Sequence, residues 1–188
     1  ALLGNLGKDK KGKGQVGKLA RAAQIAATQQ ELRGVNLRVG EAGFNQHVSG
    51  LIQQRKANLK GGVTLTEEEL TSATDRANIP IKERDAKIVA LENEIKQRAK
   101  DRPGVYDPYS HKPGGLVDQL DTLKKEKAAN PAANFIAREK AMALQKKREA
   151  AYKNDPTLQT YEAFRNDTPE ARKKKFDALR QTQLKAEY

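Results

Sequence analysis

No stretch of the 188 residues alternates β-branched or aromatic side chains with polar ones, the pattern of a half-buried β-strand. The chain has five Tyr, four Phe and no Trp, so its buried surface must come mainly from aliphatic side chains and Ala. Thin packing of helices suits such side chains better than a thick sheet core does. The sequence therefore predicts an all-α fold of six to seven helices, extended and thinly packed.

The C-terminal region, residues 130–188, repeats one helix start signal. A side chain that can cap a helix stands immediately before a proline, which at the first helical position loses no hydrogen bond and has its φ already set. The three pairs are Asn130-Pro131, Asp155-Pro156 and Thr168-Pro169. They predict three Pro-capped, basic helices at about 131–153, 156–165 and 169–187.

The clearest start signal is LTEEEL, in which Thr66 and Glu69 have the spacing of a capping box. Leu65 and Leu70 occupy the positions of a hydrophobic staple around it. This helix is expected to end near Asn78, because a residue that precedes proline is biased away from the α conformation.

A central helical hairpin is predicted within residues 65–127. Apolar residues follow heptad spacing in 81–100, and a Leu stripe in 116–127 is the expected partner. The connector 101–115, DRPGVYDPYSHKPGG, is a Pro/Gly/Tyr loop of a length that is usually functional or disordered. The residues expected on the protein-facing side of the hairpin are Ile81, Ile88, Leu91 and Ile95.

The N-terminal region divides into a flexible basic arm at 1–14 and an Ala/Gln/Gly-rich helical segment at 15–60. Four glycines interrupt the helical pattern between residues 34 and 50. They indicate either close packing, in a tight helix pair or an oligomer, or a frayed segment broken by loops. Partner packing is predicted for Phe44, Val48, Leu51 and Ile52.

The net charge of +12 is uneven, because residues 1–64 hold 11 Lys and Arg against 3 Asp and Glu. Basic ends around a balanced middle favour polyanion contact at the ends and protein contact in the centre. Helical basic clusters suit non-specific contact with a DNA or RNA backbone. The predicted polyanion-binding residues are Lys8, Lys10, Lys11, Lys13, Lys18, Arg21, Lys146, Lys147, Arg148, Arg172, Lys173, Lys174 and Lys175.

Residues 12–19, GKGQVGKL, match the first seven positions of the phosphate-binding loop G-x-x-x-x-G-K-[ST], with Leu19 in place of Ser or Thr. That loop also requires a buried strand before it, and residues 1–11 are too polar to form one. We therefore predict that these lysines favour the phosphates of a polyanion over those of a bound nucleotide.

No catalytic residue is predicted, and the protein is expected not to be an enzyme. Asp107, Tyr109, Ser110 and His111 form a polar cluster, but a catalytic triad normally draws its groups from different elements. The chain has no Cys and two His, so thiolate sites are excluded and neither a metal nor a cofactor is expected.

The longest apolar run, residues 88–91, is far shorter than the roughly 20 residues of a membrane span. The N-terminus lacks the apolar core of a secretory signal. We expect no membrane span and a virion or cytoplasmic location.

The expected function is that of a non-enzymatic structural or assembly protein in a large nucleic-acid-containing particle. A virion structural or internal protein of a bacterial virus is the first choice. A ribonucleoprotein component, or a free helical adaptor or regulator that binds acidic proteins, is the alternative. The expected partners are other protein subunits, in a homo-oligomer or a mixed assembly.

Overall fold

The computed structural model describes residues 10–188, except for the side chains of residues 10–15 and of Tyr109. This part of the chain is helical and contains no strand, which confirms the predicted all-α class. Six helices and one short helical turn, α3, make up the fold. They are α1 (Lys10–Gly61), α2 (Glu67–Asp101), α3 (Pro108–His111), α4 (Leu116–Ala129), α5 (Ala132–Asn154), α6 (Pro156–Asn166) and α7 (Pro169–Ala186).

The chain forms two compact units. Unit 1 consists of Ala1–Val63 together with Arg148–Tyr188, and unit 2 consists of Thr64–Lys147. The two basic terminal regions, which look separate in the sequence, therefore pack in one unit.

Helix α1 consists of two helices that meet at Gly40, whose φ of 71° and ψ of 175° are not helical. Arg21, before the kink, and Arg55, after it, both bond to the short stretch 154–159. In a straight helix these two residues would be about 50 Å apart. The kink therefore folds α1 back on itself into a first limb, residues 10–39, and a second limb, residues 41–61.

Two predictions for the N-terminal region need correction. Helix α1 begins at Lys10, so the backbone of residues 10–14 is helical and not part of a flexible arm. Extension of the long helix that follows outweighs the low helix propensity of Gly12 and Gly14. Residues 1–9 lie outside the described part of the chain. Of the glycines expected to interrupt the segment, only Gly40 leaves the helical conformation. At Gly43 an added Cβ would lie 3.2 Å from the Cβ of Val39, four residues earlier in α1, so this contact is local and is not the predicted packing against another helix.

The core of unit 1 forms between the two limbs, α6 and α7. The rings of Phe164 and Phe176 stack with centroids 5.1 Å apart, and Phe44 meets Phe176 edge-on at 6.0 Å. Both limbs contribute, because the fold-back brings their apolar faces to the same side of α6. The buried residues of this core are Leu32, Val35, Phe44, Val48, Ile52, Leu158, Tyr161, Phe164 and Phe176.

In unit 2, α4 packs antiparallel to the second half of α2, which confirms the predicted hairpin. Lys124 pairs with Glu92 and Lys127 with Asp85, both at 2.9 Å. The heptad positions of α2 are its less exposed side: Ile88 is buried, and Ile81, Leu91 and Ile95 are half-buried.

The predicted end of α2 near Asn78 is wrong, because the helix continues through Pro80 to Asp101. Proline removes one backbone hydrogen bond, at a cost of about 3 kcal/mol. Pro80 and Arg76, whose carbonyl loses that bond, are both exposed, so water can satisfy the carbonyl. Packing of α2 against α4 offsets the rest of the free-energy cost of placing proline inside the helix.

Three of the predicted N-caps are in place. The side chains of Thr66, Asp155 and Thr168 accept hydrogen bonds from the backbone N–H groups three residues later, at 3.2, 2.9 and 3.2 Å. Asn130 differs, because it is the C-cap of α4 and donates its N–H to the carbonyl of Glu126 at 2.8 Å.

We predict that Gly40→Ala lowers the free energy of unfolding by about 1–3 kcal/mol, because the backbone conformation of Gly40 is nearly restricted to glycine. Gly34→Ala and Gly50→Ala are the controls, since both sites are helical, exposed and open around the missing Cβ. They should raise the free energy of unfolding by up to about 1 kcal/mol. Urea unfolding measures all three, and a Gly40→Ala protein as stable as the controls would contradict the fold-back.

Candidate polyanion-binding surface

Four cationic side chains converge around the turn between α5 and α6, and we name them the junction cluster: Arg21, Arg55, Lys56 and Lys153. From the first limb, Arg21 Nη2 donates to Gln159 Oε1 at 2.6 Å and Nη1 to the carbonyl of Asn154 at 3.4 Å. From the second limb, Lys56 Nζ lies 5.7 Å from the centre of the Tyr152 ring. Lys153 is exposed in the last turn of α5.

The carboxylate at the centre of this cluster, Asp155, is engaged inside unit 1. It accepts two hydrogen bonds from Arg55, at 3.0 Å from Nε and 2.8 Å from Nη2, and it caps α6 through the N–H of Leu158. The bond from Arg55 lowers the pKa of Asp155; burial opposes this shift, and the Leu158 N–H and the charge of Arg21 add to it. Arg55 and Arg21 thus act on one nearly buried carboxylate, and with Lys56 and Lys153 near the same turn the four cations give a positive surface.

A buried tyrosine adjoins the Arg55–Asp155 pair. Tyr161 donates its hydroxyl to Glu31 of the first limb at 2.9 Å. Burial, and then the bond to Glu31, raise the pKa of Tyr161 to about 12. This bond fixes the first limb against α6 on the same side as Arg21, so the cluster is held by the fold and not by one contact.

The predicted N-terminal cations have different outcomes. Lys18 is exposed on the first limb, and Arg21 belongs to the junction cluster. Lys8 lies outside the described residues. The backbone of Lys10, Lys11 and Lys13 forms the start of α1, but their side chains are outside the described part of the structure.

The predicted cations of α5 differ in exposure and in partners. Lys147 Nζ bonds to Glu69 Oε1 at 2.6 Å within unit 2, and Lys146 is exposed in the same unit. Arg148 belongs to unit 1 and is half-buried. Of these three, only Lys146 is a fully exposed cation.

Arg172 is a correction, because its side chain is 2% exposed and cannot be a surface contact for a polyanion. Its guanidinium donates to Glu41 at 2.8 Å, to Asn45 Oδ1 at 2.9 Å and to the carbonyl of Phe164 at 3.1 Å. It also lies 4.3 Å from the centre of the Phe44 ring. Arg172 therefore ties α7 to the kink of α1 and to the end of α6.

Its three neighbours on α7 are exposed. Lys175 pairs with Asp167 and lies 5.1 Å from the centre of the Phe164 ring. Lys173 and Lys174 have no ion pair with a described residue, so they remain candidates for polyanion contact.

The residues predicted to pack against a partner in the segment 15–60 are instead occupied within unit 1. Phe44, Val48 and Ile52 are buried in its core, and Leu51 packs against that core. They are not on a surface that another subunit could reach. In unit 2, Ile88 is buried and Ile81, Leu91 and Ile95 are half-buried within the unit.

The two catalytic motifs considered in the sequence take structural roles. Residues 12–19 are helical, so their backbone does not form a phosphate-binding loop. Ser110 is buried and donates its hydroxyl to Asp107 Oδ2 at 2.6 Å, while the ring of His111 stacks on Tyr106. This is the arrangement of a capped helical turn.

Within residues 10–188, no group of three or more His, Cys, Asp or Glu side chains could hold a metal ion. No helix in this range is long and apolar enough to cross a membrane. Comparisons with protein-family models, curated proteins and solved structures give no match.

Three members of the junction cluster were missed in the sequence. Arg55 and Lys56 form an isolated basic pair, and Lys153 stands alone near the end of α5. The cluster exists because the limbs of α1 and the α5–α6 turn meet in space. A search for runs of basic residues therefore finds Arg21 and not the other three.

We predict that replacing Asp155 with Asn changes stability in a pH-dependent way. Because the folded pKa of Asp155 is lowered, the ionised group stabilises the protein above the ordinary Asp pKa of about 4. That stabilisation is lost as the pH falls through the folded pKa. At neutral pH, Asp155→Asn should lower the free energy of unfolding by about 1–2 kcal/mol, and the difference should shrink below about pH 4.

Urea unfolding of the wild-type and variant proteins over this pH range measures the effect. Asp177→Asn removes one negative charge from an exposed position on α7 and is the matched control. A wild-type advantage over Asp155→Asn that stays constant down to the acid limit would contradict the role of the ionised carboxylate.

Proposed function

We propose that the chain is a non-enzymatic structural or assembly protein of a large nucleic-acid-containing particle. In this proposal, unit 1 contacts the nucleic-acid backbone and other protein subunits cover its apolar surface. Our first choice of particle is the virion of a bacterial virus, with a structural or internal role; a ribonucleoprotein is the second.

The distribution of charge carries the proposal. The segments that make up unit 1 hold 20 of the 36 Lys and Arg residues but only 10 of the 24 Asp and Glu residues, a net charge of +10. The segment that makes up unit 2 holds the other 16 Lys and Arg residues and the other 14 Asp and Glu residues, a net charge of +2. A basic surface of this kind favours association with a polyanion, because its cations displace the counterions that surround the phosphates.

The geometry of the cations supports contact with phosphates and not with base edges. Arg21 and Arg55 are held by bonds inside unit 1, while Lys18, Lys153, Lys173 and Lys174 are exposed on helices. Lysine recognises phosphate as a point charge on a flexible stem, without the directional pairing that reads a base. Non-specific binding to DNA or RNA follows from this chemistry.

An exposed apolar surface on the first limb supports the assembly part of the proposal. We name it the outer face: Val16, Leu19, Ala23, Ala27 and Leu37. Val16, Leu19 and Leu37 are 69%, 72% and 76% exposed.

The opposite side of the same limb faces α6 and combines polar contacts with the buried core residues Leu32 and Val35. Gln24 donates to Thr157 Oγ1 at 2.8 Å, and Arg21 and Glu31 bond to Gln159 and Tyr161. In a soluble protein the apolar stripe of a helix normally faces the core, so a second and exposed apolar stripe on this limb is unusual. The arrangement favours burial of the outer face against another subunit, either a second copy or a different protein.

We predict that nucleic-acid binding depends steeply on salt and on unit 1. Each neutralised phosphate adds about 0.9 to the slope of log affinity against log salt for duplex DNA. The double variant Lys56→Gln, Lys153→Gln should therefore weaken binding and reduce that slope by about 2. Fluorescence anisotropy with labelled duplex DNA and with RNA, over a series of salt concentrations, measures both quantities.

The matched control is Lys87→Gln, Lys100→Gln, which removes the same charge from exposed positions of unit 2. Its affinity and slope should stay near those of the wild type. Equal losses in the two double variants would place the contact outside the junction cluster. Undetectable binding of both DNA and RNA at low salt would refute the proposal and favour an adaptor that binds acidic proteins.

A further inference from the structure

The connector between α2 and α4 is an anchored loop. Asp107 lies 3.7 Å from Arg98 Nη1 of α2, and it accepts the hydroxyl of the buried Ser110 at 2.6 Å. At the far end, the N–H of Gly114 donates to Asp118 Oδ2 of α4 at 2.9 Å. These contacts hold both ends of the loop against the hairpin and fix the backbone on either side of α3.

The loop presents a stacked aromatic pair to solvent. The rings of Tyr106 and His111 have centroids 5.1 Å apart and are inclined by 20°. Tyr106 is nevertheless 69% exposed, and its neighbour Val105 is 64% exposed. Since His111 covers one face of the tyrosine ring, the exposure of Tyr106 leaves the other face open.

Tyr106 is not needed to hold the loop in place. The anchors are the Asp107 carboxylate, the Ser110 hydroxyl and backbone bonds such as that from the N–H of Val105 to the carbonyl of Arg102 at 3.2 Å. A connector of this length is usually either functional or disordered, and this one is anchored at both ends.

We propose that the Tyr106–His111 pair is a stacking platform for one unpaired base of a single-stranded nucleic acid. Every base has a flat aromatic face, so stacking on a tyrosine ring tolerates any sequence. The negative charge of Asp107, beside the platform, is engaged by Arg98 and Ser110, while Arg102 is exposed on the same loop. The charge around the pair therefore does not oppose the approach of a phosphate backbone.

This inference rests on the proposed function and deepens it, because it assigns unpaired bases to unit 2 in addition to the phosphates assigned to unit 1. Paired bases in a duplex keep their faces stacked on one another and cannot use the platform. A preference for single strands at this site is the consequence that separates it from general attraction to charge.

The experiment measures the affinity of Tyr106→Ala for an unstructured oligothymidylate and for a duplex hairpin of equal length, at one fixed salt concentration. Loss of the stack should weaken single-strand binding by about tenfold and leave duplex binding unchanged. Tyr106→Phe keeps the ring and should bind both as the wild type does. Tyr188→Ala removes an exposed tyrosine that stacks on no described residue, and it is the control.

Each alternative result decides a different point. If Tyr106→Ala binds the single strand as tightly as the wild type, or loses duplex binding to the same extent, the platform is refuted. Salt-dependent duplex binding by the wild type would then still support the proposed function. If the wild type binds neither nucleic acid, the proposed function fails and the platform with it. Circular dichroism of Tyr106→Ala identifies any loss that comes from unfolding.

Discussion

The positive φ of Gly40 is the constraint on which unit 1 depends. It turns one long helix back on itself, so that both limbs of α1 contact α6. The core then closes between the limbs, and Arg172 secures α7 at the kink through Glu41, Asn45 and the carbonyl of Phe164. Without the fold-back, the limbs would have no common surface on which to bury their apolar residues.

The same fold-back sets the surface chemistry of unit 1. It brings Arg21 and Arg55 to one turn, where Arg21 bonds to Gln159 and Arg55 pairs with Asp155. It also turns one side of the first limb towards α6 and the core, which leaves the outer face, on the other side, exposed. The junction cluster and the exposed outer face thus both result from one backbone conformation. Both are surfaces that the proposed subunit would use, one for nucleic acid and the other for protein.

Local chemistry made much of the fold predictable. The caps at Thr66, Asp155 and Thr168 and the heptad pattern of α2 act within a few residues, so the sequence indicates the helices and the central hairpin. The helix end predicted from Pro80 was wrong, because packing of α2 against α4 outweighs the local preference of proline to end a helix. The surface roles predicted for Phe44 and Arg172 were wrong for a related reason. A periodic apolar face, or a run of basic residues, does not show whether a given side chain lies in the core or at the surface. The junction cluster could not be foreseen, since its members come from distant segments.

The exposed outer face leads us to expect that a second copy of the chain covers it, and light scattering of the purified chain over a range of concentrations tests this most directly. We expect a mass above the 20.8 kDa of one chain, and the double variant Leu19→Gln, Leu37→Gln should shift the mass towards that value. Val89→Gln, an exposed apolar position in unit 2, should leave the mass unchanged. A wild-type protein that stays a compact, cooperatively folded monomer at every concentration would contradict the claim.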